Sequence, residues 1–313
     1  MVICIAVLCN VARAQDYIFA TEDLITLKCA DCELQGSITL PDSDSVTAIV
    51  LLLGGTGPTD RDGNQMMMRT NALKMLAYEL AGNNIASVRF DKRGVGASRF
   101  QPVNTEDIRI DHFISDAKDW IAKLRKDYRF QKIILLGHDE GSLVALAAAA
   151  NNRYVNAVIS IGGTGRTMDQ VFKDQYAHQP QPIREIVYDI IETLHSGSTV
   201  DHVPVYLSSS FTPVLQPFLI SMMQYNPQEE ARKIKAPFLV LQGERDVQVM
   251  REDARLLAAA HGKATLVTIP DMNHVMKDCY SMEEDEQFMT YVNPALPVNR
   301  QLVREVVTFI RGL

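Results

Sequence analysis

The chain is poor in several things. In 313 residues it has one tryptophan, Trp120, and five cysteines. Two of those cysteines, Cys4 and Cys9, sit in an apolar leader. Cys29 and Cys32 form one Cys-x-x-Cys pair with no second pair to complete a four-ligand zinc site. Positive charge is short as well: 31 Lys and Arg against 38 Asp and Glu leave −7 at pH 7. A phosphate-binding surface needs the opposite excess, which argues against nucleic acid as a partner. No apolar run reaches the roughly 20 residues of a bilayer span. No Gly-Lys-Ser/Thr closes the one glycine-rich loop, which excludes a Walker phosphate loop. No internal repeat or low-complexity tract occurs. The composition that remains is 47% hydrophobic and 22% charged, that of an ordinary globular protein. At this length an α/β fold is commonly one domain.

Residues 2–9 are apolar, and Ala12-Arg13-Ala14 has the form of an A-x-A cleavage site. The basic residues that usually precede such a run are missing. The expectation is a signal peptide over 1–14, a mature chain over 15–313 starting at Gln15, and an exported protein, periplasmic or secreted. The alternative is a first buried strand. In an oxidising compartment Cys29 and Cys32 form either a hairpin disulfide or two free thiols. Cys279 is left over.

The chain turns on residues 137–141, Gly-His-Asp-Glu-Gly. Ahead of it, residues 132–136 read as a buried strand. Behind it, the Ala-rich stretch from Ser142 to Ala150 reads as a helix. Strand, Gly-x-X-x-Gly and helix make the pattern of a nucleophile elbow. The glycines permit a turn too tight for side chains. The exposed middle residue is Asp139.

The remaining elements follow in order. Residues 17–28 and 34–40 read as an antiparallel pair, and 48–53 as a strand covered on both faces. A helix is expected over 66–82, a strand over 85–90 and a helix over 106–128. Strands follow at 155–161, 237–243 and 265–270, and a last helix at 299–312. This alternation predicts a mostly parallel, doubly wound sheet. Residues from about 165 to 235 interrupt it with helical patterns, which predicts a cap over the carboxyl ends of the strands.

The glycine-rich loop 54–64 allows two further readings. Asp60-x-Asp62-Gly63 faintly resembles a calcium loop, but its twelfth position is Asn71 rather than the Glu such a loop needs. The reading preferred is an oxyanion loop, with backbone N–H groups aimed at developing negative charge.

Five stretches carry a family resemblance: 54–64, Asp-Lys-Arg-Gly-Val-Gly-Ala-Ser at 91–98, the elbow, Gln-Gly-Glu-Arg-Asp-Val-Gln-Val at 242–249, and Pro-Asp-Met-Asn-His at 270–274. In this order the chain resembles the α/β-hydrolases, more narrowly the serine aminopeptidase/esterase-like group. The resemblance implies an α/β-hydrolase fold with a helical cap insertion and the order nucleophile, acid, base. It puts Asp139 at the nucleophile position, Asp246 as the acid and His274 as the base, with Asp271 a weaker candidate acid. The implied oxyanion donors are the N–H groups of Glu140 and of Thr56 or Gly55. The expected partner is a small ester-like substrate, acyl or peptide-derived. No cofactor and no metal are implied.

The departure from the family is Asp139 in place of Ser. Relatives with Asp there, the haloalkane dehalogenases and epoxide hydrolases, attack sp³ carbon. Their other marks are weak here: Glu140 stands where dehalogenases commonly place a Trp, and the His-Gly-x-Pro oxyanion motif is absent. Tyr176, Tyr188, Tyr206 and Tyr225 are available as cap tyrosines. Ser142, one turn into the helix, is expected to face the sheet or neighbouring side chains. Three readings stay open: an exported esterase-like hydrolase, an Asp-nucleophile hydrolase of C–O or C–halogen bonds, and a non-catalytic relative that binds a ligand.

Overall fold

The structure is a computed structural model that describes residues 20–43, 45–98 and 105–313. The leader expected over 1–14, the new terminus at Gln15 and the start of the strand expected from 17 lie outside the described residues.

The strands are β1 (Ala20–Lys28), β2 (Glu33–Pro41), β3 (Ala48–Leu53), β4 (Ala86–Phe90), β5 (Lys132–His138), β6 (Ala157–Ile161), β7 (Phe238–Gly243) and β8 (Thr265–Ile269). They form one sheet in the order β1-β2-β4-β3-β5-β6-β7-β8. β2 pairs antiparallel with β1 and with β4, and all other pairings are parallel. This is the mostly parallel α/β sheet the alternation predicts.

The helices are α1 (Ala72–Gly82), α2 (Ile110–Leu124), α3 (Glu140–Ala149), α4 (Met168–Tyr176), α5 (Gln181–His195), α6 (Ser208–Phe211), α7 (Gln216–Met223), α8 (Pro227–Lys233), α9 (Arg251–His261), α10 (Glu284–Tyr291) and α11 (Arg300–Arg311). The period-2 strand geometry sends alternate side chains to opposite faces. Ile133 and Leu135 of β5 enter the apolar cluster with α2 and α3, while Ile134 and Leu136 enter the one with α1 and α11. Both faces are covered, which is why the central strands read as continuous apolar runs. On α11, Leu302, Val303, Val306, Val307 and Ile310 make one buried stripe. Its start is set by Asn299, whose side chain accepts the Leu302 N–H at 2.9 Å.

Two helix boundaries differ from expectation. The helix expected from 66 begins at Ala72, because the Asn64 Oδ1 accepts the N–H groups of both Thr70 and Asn71 at 2.9 Å. Those bonds hold 66–71 as a loop, with Met66 and Met67 exposed. The helix expected over 106–128 is a 3₁₀ turn at 105–107 followed by α2, whose first N–H is taken by the Ser221 hydroxyl at 3.0 Å. Past Leu124 the chain closes i→i+3 bonds, Lys126 N–H to Lys123 and Asp127 N–H to Leu124, and the α-helix stops.

The stretch 165–235 is helical, α4 to α8, with an apolar cluster of its own built on Val187, Ile191, Leu194, Leu207 and Phe211. No helix among the described residues is long and apolar enough to cross a membrane.

Candidate active site

Four loops leave the sheet at the carboxyl ends of β3, β5, β7 and β8, the end where open α/β sheets bind ligands. They carry Thr56, Asp139, Asp246 and His274.

The elbow sits between β5 and α3. Asp139 has φ 54° and ψ −120°, a backbone that L-residues rarely adopt and that costs about 1–3 kcal/mol. A Cβ at Gly137 would collide with the Gly141 carbonyl, and one at Gly141 with the Leu53 carbonyl. The glycines let the turn close and let α3 approach β3. Asp139 stands at the N-cap position of α3 with no side-chain cap bond, where the free N–H groups of the first turn favour negative charge.

The Asp139 Oδ2 accepts the Thr56 N–H at 2.8 Å. The Gly55 backbone comes so close that a Cβ there would stand 3.0 Å from the same oxygen. On the far side His274 places Nε2 4.0 Å from Oδ2. The His274 Nδ1 faces Asp246 at 3.1 and 3.2 Å from its two oxygens. Asp246 is itself fixed: its Oδ1 accepts the N–H groups of Gln248 and Val249 at 2.9 Å, and its Oδ2 accepts from Gln242 at 3.1 Å. Asp271 turns away and faces Arg245 at 3.6 Å.

The charges are coupled. Burial alone would push the His274 imidazole down, but Asp246 first and Asp139 second raise it to about 9. Burial alone would push both carboxyls up. The His274 charge, with the Thr56 N–H at Asp139 and with backbone N–H groups at Asp246, instead holds both below the ordinary aspartate value. At neutral pH the resting site is therefore two carboxylates about one imidazolium.

His138 is a member the sequence reading passed over. Its Nε2 lies 2.8 Å from the His274 carbonyl oxygen, and a carbonyl only accepts, so Nε2 carries the hydrogen. Burial and the His274 charge hold this imidazole below its ordinary value, so it stays neutral with a bare Nδ1. A Cβ at Gly55 would stand 3.2 Å from that nitrogen. His138 therefore supplies a lone pair beside Asp139 and ties the loop of His274 to the elbow. The local sequence signal was only its place before Asp139.

Other candidates fall elsewhere. Ser142 is buried and shares a 2.6 Å hydrogen bond with Ser160. Trp120 lies in the core against Phe90. Tyr225 bonds Asp111, Tyr188 bonds the Lys173 carbonyl, and Tyr176 packs on Phe211. A cavity of about 260 Å³ opens over Asp139 and His274. Met68, Leu73, Gln248 and Tyr291 help wall it, and no residue of 165–235 lines it. Its walls come instead from the loop after β3 and from the segment after β8.

The glycine-rich loop is held by protein groups at its acidic positions. Asp60 accepts the N–H groups of Asp62 and Asn64, and Asp62 pairs with Arg89 at 3.0 Å. Cys29 and Cys32 are free thiols. With Asp116 they place three ligand atoms within 4.8 Å of one another. There the Arg93 guanidinium already donates to both Asp116 oxygens, at 2.8 and 2.6 Å, and so meets the carboxylate's charge.

Comparison with known proteins agrees with this fold. Residues 66–210 match the family model for serine aminopeptidases, S33. The match spans Asp139 but neither Asp246 nor His274. The chain is 22% identical over 247 residues to Esterase EstD of Thermotoga maritima, covering 78% of this chain. It spans 58% of the length of that esterase. Among solved structures, Est1E of Butyrivibrio proteoclasticus with bound ferulic acid superposes with a TM-score of 0.62 at 15% identity, covering 92% of this chain and all of that one. The Pyrococcus furiosus esterase Pf2001 gives 0.60 at 15% identity, covering 95% and 91%. The chain therefore has the fold of these α/β-hydrolases, and over residues 66–210 it is similar to the serine aminopeptidases. The named proteins it is similar to are esterases, and the elbow of this chain carries Asp139.

Proposed function

We propose that the protein is an exported hydrolase of small ester-like substrates, with Asp139 as nucleophile, His274 as acid and base, and Asp246 as the group that orients His274. The observation that carries this is the place of His274 between two carboxylates, 3.1 Å from Asp246 and 4.0 Å from Asp139. It supports a two-stage cycle.

Asp139 is ionised at rest and attacks without a base. His274 is protonated at rest, the state an acid needs. As the Asp139 oxygen joins the acyl carbon, the ester C–O bond breaks and the leaving alcohol takes the His274 proton. Asp139 is now an uncharged anhydride. Its charge no longer raises His274, which is neutral and able to take a proton from water. Water attacks Cγ, and the charge gathers on Oδ2, where the Thr56 N–H already points. Collapse releases the acid and restores the Asp139 carboxylate beside a protonated His274. Asp246 holds Nδ1 throughout and so keeps Nε2 facing the reaction.

Attack on sp³ carbon uses the same three groups. Against it stand Glu140, whose side chain is buried on Lys92, and the cap tyrosines, which do not line the cavity. A hydrolysis screen of p-nitrophenyl esters, epoxides and haloalkanes separates the readings. Turnover of short acyl esters is expected. Turnover of epoxides or haloalkanes alone moves the assignment to sp³ chemistry, and turnover of none leaves a ligand-binding relative. Export is checked by the N-terminus of the secreted protein, expected at Gln15.

A further inference from the structure

Lys92 follows β4 and is buried, yet no step above uses it. Its ammonium donates to three acceptors: the Gly55 carbonyl, the Gly57 carbonyl at 3.1 Å and Glu140 Oε1 at 2.8 Å. It also stands 5.1 Å from the centroid of the Phe113 ring. An ammonium has three N–H donors, so all are used.

The Gly55 carbonyl and the Thr56 N–H are two ends of one peptide group. That N–H is the one donated to Asp139 Oδ2 at 2.8 Å. Glu140 is the first residue of α3, and its own backbone N–H, free of an intrahelical partner, lies next to Asp139. One buried cation is therefore bonded to the backbone of the loop on one side of the nucleophile and to the side chain of the residue that follows it. A cation on the carbonyl end of a peptide polarises it and strengthens the donor at the other end. A buried pair of this kind is weak evidence for a role in stability. A buried ion pair is often matched by apolar residues of similar volume, and Glu140 Oε2 is left buried without a partner.

We propose that Lys92 is a positioning residue for catalysis: it aims the Thr56 N–H at Asp139 Oδ2 and raises its donor strength through the Gly55–Thr56 peptide, while Glu140 keeps the ammonium in place. This rests on the reading that charge gathers on Oδ2.

The test joins kinetics with a signal that needs no turnover. In Lys92→Met the Thr56 amide proton moves upfield, and kcat for the best ester found falls about tenfold or more while KM moves less than about threefold. In Glu140→Gln, which leaves both loop carbonyls bonded to Lys92, the Thr56 amide moves less than half as far. In the native protein the Lys92 ammonium gives a slowly exchanging ¹⁵N signal coupled through its hydrogen bond to the Gly55 carbonyl carbon. An unshifted Thr56 amide or an unchanged kcat in folded Lys92→Met overturns the inference. Absence of the native coupling overturns it even if that variant does not fold. A shifted amide in a protein that cleaves no ester supports the Lys92 inference and counts against the hydrolase reading alone.

Discussion

Replacing Asp139 by Asn removes one charge and keeps the shape of the side chain. The charge it removes stands 4.0 Å from the His274 Nε2. Two unit charges at about 4 Å interact by about 4 kcal/mol at an effective dielectric of about 20. At about 1.4 kcal/mol per pKa unit that is a ceiling of about 3 units. The Asp139 side chain is 18% exposed, so solvent screens part of it. Asp246 is nearer and remains, so the His274 pKa does not return to its unburdened value. We expect His274, which stands at about 9, to fall by about 1–2 units in Asp139→Asn. Titration of its ring carbon-bound proton by NMR reads this directly. A His274 that titrates alike in both proteins would show that the two groups are not coupled. The switch from acid to base during the cycle would then lose its physical cause.

Asp246→Asn removes the acceptor that orients Nδ1. Turnover is expected to drop by about 10³–10⁴-fold in a protein that still folds, and a loss under about tenfold contradicts the assignment. The pH dependence of stability follows from the same site. His274 has a folded pKa of about 9, above the roughly 6.5 of an unfolded His, so its contribution is full below about pH 6.5 and is lost as pH rises through 9. Asp139 and Asp246 are held below the unfolded value, so theirs is present above about pH 4 and fades as pH falls further. Denaturant melts of the native protein should therefore lose about 3 kcal/mol between pH 6.5 and 9 that His274→Ala does not lose. Gly137→Ala drives a Cβ into the Gly141 carbonyl and should cost about 3 kcal/mol or prevent folding; a variant as stable as the native protein would mean that the elbow is looser than described.

The sequence made some of this legible and hid the rest. The elbow shows because its demands are local: two glycines four apart, a β-branched apolar run before them and an alanine-rich run after. Buried parallel strands show because both of their faces are apolar. Asp246 and His274 lie 107 and 135 residues beyond Asp139, and only the family order singles them out. The start of α1 was missed because Asn64, eight residues upstream, takes the N–H groups of Thr70 and Asn71. The cavity walls were missed because side-chain reach across the sheet edge leaves no periodic mark: Tyr291 and Met68 line the site, while the helical stretch 165–235 does not. Lys92 was quoted only as part of a motif. Its role depends on which carbonyl its ammonium meets, and that is set by the packing of three separate segments.

The central claim is that Asp139 is consumed and restored in each turnover. A single turnover in ¹⁸O-enriched water, followed by mass spectrometry of the peptide carrying Asp139, tests it. The account predicts one heavy oxygen in that side chain, delivered as water attacks Cγ. Product formed with the label wholly in the released acid and none in Asp139 would contradict it.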